Sequence, residues 1–190
     1  MVPLARAKGI LASGGQQMAK ERYGVVTMKG NPVTLVGPDL AVGERAPEFA
    51  AVDRDLHEVK LSDFAGRVVV ISSVVSVDTS VCAVQTKRFS DETEELPENV
   101  VVLTVSTDLP FALGRFCAAE GAGHTVALSD HRSVSFGAAY GVLIKDLRLL
   151  ARSVWVIGKD GKIAYKEVVR EVASHPDYDR ALQAARKAAE

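Results

Sequence analysis

Two valine-rich runs constrain the fold most: Val68-Val69-Val70-Ile71 and Val100-Val101-Val102-Leu103-Thr104-Val105. Near-continuous apolar, β-branched stretches of this length read as buried strands. Between them, Gln85 to Leu96 is polar and charge-bearing and reads as a helix. The alternation continues along the chain. Pro110 opens a second helix, as proline can at a first helical position, and Gly121 and Gly123 close it. Thr125 to Leu128 reads as a short strand and Ser133 to Tyr140 as a short helix. Ser153–Ile157 and Lys162–Tyr165 flank Asp160-Gly161, a strong hairpin signal. Pro176 to Ala189 is a final amphipathic helix.

The N-terminal third reads as hairpins. Val25–Met28 and Val33–Val36 flank Lys29-Gly30-Asn31-Pro32, and Phe49–Val52 and Glu58–Leu61 flank a second turn, Asp53 to His57. Ser62 to Gly66 reads as one helical turn with Ser62 as cap and Gly66 as stop. Strands alternating with helices, followed by a hairpin and a helix, describe an α/β sandwich with a mixed sheet and an N-terminal hairpin extension. The 190 residues suit one domain, placed at residues 23–190. Residues 1–22 are expected to form a disordered extension, because Met1 to Gln17 has little strand or helix pattern and carries Ser13-Gly14-Gly15.

Composition excludes several functional classes. The net charge is −1 with acids and bases interspersed, unlike the basic footprint of a nucleic-acid binder. No apolar run is long enough to span a bilayer as a helix. Two cysteines do not make a secreted disulfide framework, and they suit a reducing compartment such as the cytoplasm. His57, His124, His131 and His175 are scattered without metal spacing, and no phosphate-binding glycine fingerprint appears, so neither a metal nor a cofactor is expected.

Cysteine chemistry is what remains. Cys82 follows the first valine run and stands where the strand turns into a helix. Free backbone N–H groups and the positive end of the helix dipole stabilise a thiolate there. Thr79 lies three residues upstream, where its hydroxyl can face the sulfur. Cys117 lies in the helix after Pro110, on the next strand–helix unit. From the residues alone, both cysteines read either as small buried hydrophobes or as reacting thiols.

Several motifs appear in order: Lys29-Gly30-Asn31-Pro32-Val33-Thr34, Asp78-Thr79-Ser80-Val81-Cys82 and Asp108-Leu109-Pro110-Phe111-Ala112. Arg115-Phe116-Cys117, Ala139-Tyr140-Gly141-Val142 and Leu149-Leu150-Ala151-Arg152-Ser153 follow. With these, the chain resembles the thiol peroxidase subgroup of the peroxiredoxins from about Tyr23 onward. The resemblance implies a thioredoxin-like fold, with Cys82 as the peroxidatic cysteine, Cys117 as the resolving cysteine and Arg152 as the active-site arginine. It also implies a hydroperoxide substrate, a thioredoxin-like reductant and a homodimer. Arg152 would stabilise the thiolate and the leaving oxygen, and Thr79 would hold the peroxide for attack. The product is a sulfenic acid at Cys82, which Cys117 converts to a disulfide.

The family's loop carries prolines where this chain has Val75 and Ser80. Valine restores an N–H that must find a partner and adds a branched side chain, so loop shape is expected to differ. Two rival classes use the same thiols. A thiol–disulfide oxidoreductase would want cysteine at position 79, whereas a peroxide-sensing switch would be consumed stoichiometrically.

Overall fold

The computed structural model describes residues 20–190, so the expected extension lies almost wholly outside the described residues. In chain order the strands are β1 (Glu21–Met28), β2 (Asn31–Val36), β3 (Ala50–Val52), β4 (Glu58–Lys60), β5 (Val68–Ser73) and β6 (Val100–Ser106). They continue with β7 (Val126–Ser129), β8 (Leu143–Ile144), β9 (Leu149–Leu150), β10 (Ser153–Ile157) and β11 (Ile163–Val168). The helices are α1 (Ser80–Thr93), α2 (Pro110–Glu120), α3 (Ser135–Ala139) and α4 (Tyr178–Ala189). β1 already includes Glu21 and Arg22, ahead of the boundary expected at Tyr23. Ionic contacts hold these residues: Glu21 pairs with Lys145, and Arg22 pairs with Asp39 and donates to the carbonyl of Gly141.

Seven strands form the central sheet in the order β11-β10-β5-β6-β7-β3-β4. β5, β6 and β7 are parallel, and β10 runs antiparallel to β5, so the sheet is mixed as expected. The valine runs alternate between two cores. Val68, Val70, Val100, Val102, Val154 and Val156 pack with Phe89 of α1 and with α4. Val69, Ile71, Val101, Leu103, Trp155 and Ile157 lie in the other core with Leu113 and Cys117 of α2. Every residue of β5 and β6 is buried, which is why no polar alternation marks them in the sequence.

A second sheet runs β1-β2-β8-β9. Its two-residue strands β8 and β9 are absent from the sequence reading because they are too short to carry a period. Gly141, at φ 67°, brings α3 against the segment after β2, where an added Cβ would lie 1.9 Å from the Pro38 carbonyl oxygen.

Element boundaries depart from expectation in informative ways. α1 begins at Ser80, before the expected Gln85, because Thr79 adopts an extended conformation and its carbonyl accepts the Ala83 N–H at 2.9 Å. It ends at Thr93, and the N–H groups of Glu94, Glu95 and Leu96 reach back three residues in tightened turns before Pro97. The short turn expected over 62–66 is a 3₁₀ turn, Leu61–Phe64, and Lys60 caps it in place of Ser62, its N–H bonding Asp63 at 2.8 Å. α2 begins at Pro110 and ends on Gly121, whose φ of 64° suits a residue without Cβ.

Candidate active site

Cys82 sits in the first turn of α1 and is fully buried. Thr79 caps the same helix and is exposed. Its hydroxyl donates to the Ser76 carbonyl at 3.0 Å, and its N–H reaches the same oxygen at 3.1 Å. The hydroxyl expected to face the sulfur thus gives its proton to a backbone carbonyl of its own loop.

Arg152 precedes β10 and is 1 % exposed. Its three nitrogens have three partners. Nε donates to the Val172 carbonyl at 2.9 Å, Nη1 to Gln85 Oε1, and Nη2 to Cys82 Sγ at 3.2 Å. Two of these acceptors are neutral, and among the described residues no carboxylate pairs with the guanidinium. A buried cation without an anionic partner is costly. Of its three acceptors, Cys82 Sγ is the one whose chemistry allows a negative charge.

Gln85 is absent from the sequence reading of the site. It lies one turn after Cys82 on α1, fully buried, and its Nε2 donates to Ser72 Oγ at 2.7 Å. Gln85 thereby orients the guanidinium from below, while β5 holds Gln85. A glutamine in a polar helix carries no sign of burial, and a backbone acceptor such as Val172 carries none at all. The same buried layer contains Thr86 and Thr104, whose hydroxyls have no protein partner.

The loop carrying Thr79 is tied to the start of α2. Asp108 accepts the Ser76 hydroxyl at 2.8 Å and the Val77 N–H at 2.9 Å, and a third bond comes from the Ser106 hydroxyl at 2.8 Å. Two residues after Asp108, α2 begins, and within it lies Cys117, 4 % exposed. Burial pushes the Cys117 thiol up from its ordinary range, while the charge of Arg54 pulls the other way. Both cysteines are free thiols. The structure thus brings Arg152 onto Cys82 and links the loops leading to Cys82 and Cys117 through Asp108.

The histidines stand elsewhere. His124 pairs with Glu94, His131 contacts Ser129 Oγ, and His175 contacts the Tyr178 hydroxyl. His57 lies with Asp53 and Asp55 in the exposed β3–β4 turn, where Asp53 accepts the backbone N–H groups of both Asp55 and His57. No described helix is long and apolar enough to cross a membrane.

Comparison with known proteins places this geometry among relatives. A sequence model of the Redoxin family matches residues 41–182. The thiol peroxidase of Listeria innocua is 56 % identical over 163 residues, covering 86 % of this chain and 98 % of its own. That of Bacillus subtilis is 49 % identical over 161 residues, covering 85 % and 96 %. Among solved structures, a peroxiredoxin-like protein from Aquifex aeolicus superposes with a TM-score of 0.81 at 43 % identity, covering 86 % of this chain and 96 % of its own.

Proposed function

The chain belongs to the Redoxin family, and on that premise we propose that it is a thiol-dependent peroxidase whose reacting sulfur is Cys82. The observation that carries this reading is the buried Arg152 guanidinium, which donates to Cys82 Sγ without a carboxylate to neutralise it. The Cys82 thiolate attacks one oxygen of a hydroperoxide. The S–O bond forms as the O–O bond breaks, and the departing oxygen takes a proton to leave as water or an alcohol. Cys82 is left as a sulfenic acid. Arg152 stabilises the anionic sulfur and the negative charge on the leaving oxygen, where preorganised donors act most strongly. Thr79, with its proton given to Ser76, keeps its oxygen lone pairs to accept from the peroxide and orient it.

Cys117 then condenses with the sulfenic acid, forming an intramolecular disulfide and releasing water. A thioredoxin-like dithiol reduces that disulfide and is itself oxidised. The reading includes a reducing compartment such as the cytoplasm, which two unpaired cysteines and bacterial relatives suit, and a homodimer, which the family resemblance implies.

The test is turnover. With hydrogen peroxide and a recycling dithiol, the protein should consume many equivalents of peroxide per chain. Cys82→Ser should abolish consumption, and Cys117→Ser should leave a single turnover ending at the sulfenic acid. Consumption that stops at one equivalent in the unmodified chain with reductant present favours a peroxide sensor. Retained turnover in Cys82→Ser rules out this mechanism.

A further inference from the structure

Arg152 is oriented partly by a backbone carbonyl, and what holds that carbonyl is a carboxylate outside the site. The peptide group joining Val172 to Ala173 is planar, with its C=O and N–H pointing in opposite directions. Its carbonyl accepts from Arg152 Nε at 2.9 Å, and its N–H donates to Glu171 Oε1 at 3.2 Å. The preceding peptide is fixed too, with the Val172 N–H on the Thr27 carbonyl at 3.0 Å.

Glu171 is held in turn by the β1–β2 hairpin. Lys29 and Gly30 both have positive φ, 51° and 78°, which turns their successive N–H groups toward one point. Those N–H groups reach the Glu171 carboxylate at 3.0 and 2.9 Å, and the Thr27 hydroxyl adds a bond at 2.8 Å. The Gly30 N–H first, and then the Thr27 hydroxyl, hold the carboxyl down to about 2, so it is ionised at neutral pH. A charged acceptor on the Ala173 N–H polarises that peptide and strengthens its carbonyl as an acceptor.

We propose that Glu171 is a positioning residue for the peroxide step: gripped by the Thr27–Gly30 hairpin, it orients the Val172–Ala173 peptide that aims Arg152 at Cys82. The proposal rests on the role given to Arg152 above. It assigns a function to the Lys29-Gly30 turn that no contact with the sulfur supplies, since the hairpin acts through Glu171, one peptide and the guanidinium. Rotation of that peptide leaves Arg152 Nε without its acceptor in a buried site, and the guanidinium then has two partners in place of three.

A double-mutant cycle with Arg152 separates positioning from mere support of the fold. The readout is the second-order rate of Cys82 sulfenic acid formation with hydrogen peroxide, trapped by rapid quenching in the full chain. Glu171→Ala should lower this rate about tenfold, the scale of losing a charge-assisted hydrogen bond. In an Arg152→Ala background the same change should alter the rate by less than about twofold. Thr27→Val, which removes one donor to the carboxylate, should show the same pattern more weakly, and it carries the test if Glu171→Ala does not fold. An equal fold-loss in both backgrounds, or no loss in a folded variant, overturns the proposal. If Arg152→Ala alone leaves the rate unchanged, the role given to Arg152 fails first and takes this inference with it.

Discussion

Arg152 divides its donors among a backbone carbonyl, a side-chain amide and a sulfur, and a point charge cannot reproduce that fork. Arg152→Lys should therefore lower sulfenic acid formation by about a hundredfold, the scale of losing a preorganised transition-state donor, measured by rapid mixing with peroxide. Gln85→Leu leaves Nη1 without its acceptor in a dry environment. It should cost about 1–3 kcal/mol of stability by urea unfolding and slow the peroxide step as well. At Cys117 burial dominates, so its thiol stays protonated at neutral pH. Disulfide formation should accelerate as pH rises past neutrality; a rate flat between pH 7 and 9 would mean that Cys117 ionisation does not limit it. The residues differ in how far sequence reveals them. The place of Cys82 at a strand-to-helix turn is legible from local pattern, which leaves it either a buried hydrophobe or a reacting thiol, whereas Arg152 is singled out by the family resemblance together with its place at the start of an apolar strand. Gln85, Glu171 and the Val172 carbonyl are not, because what they do depends on neighbours 20 to 144 residues away.

At the scale of elements, Asp108 fastens the loop before α1 to the loop before α2. Asp108→Ala should free the Ser76 and Val77 contacts, so backbone exchange over residues 76–79 should rise by about tenfold or more relative to the wild type. Unchanged exchange there would show that the loop is held by its own turn bonds alone. Asp130 offers a pH-dependent counterpart. Its carboxyl accepts the N–H groups of Phe136 and Gly137 at the start of α3, yet burial outweighs these bonds and raises it to about 6 from an ordinary value of 3.8. A carboxyl raised on folding binds a proton in the native state that the unfolded chain has already lost. Its contribution is therefore favourable at low pH and is lost as pH rises between about 4 and 6. Relative to Asp130→Asn, the wild type should gain stability as pH falls through that window, by roughly 3 kcal/mol at most. Denaturant midpoints across pH 4–7 measure it. The long strands were readable because burial on both faces writes itself as valine. The first residue of α1 was not, although Cys82 was placed at the helix start, because Ser80 to Val84 carries no periodic signal and the extended Thr79 cap decides where the helix begins.

At the scale of the molecule, the two sheets and four α-helices of the described residues leave Cys82 and Cys117 as separate buried thiols. A disulfide requires Cα atoms within about 7 Å and converging Cβ vectors, which packed helices rarely offer. Oxidation should thus lower hydrogen-exchange protection over Phe111–Gly121 and leave the Ser153–Ile157 strand unchanged. Equal protection in both forms, with the intramolecular disulfide confirmed, would show that the helices need not open; a disulfide between two chains would remove Cys117 from its resolving role. The α/β plan and the place of the first sulfur were legible, since both follow from local pattern. The second sheet was not, because it joins the N-terminal hairpin to two strands of two residues each, more than a hundred positions later. The complete burial of Cys82 has a further consequence. A sulfur with no exposed surface touches no solvent, so a reagent of any size reaches it only when the packing around the helix start shifts. On the proposed cycle, a small peroxide needs a far smaller opening than a folded reductant does.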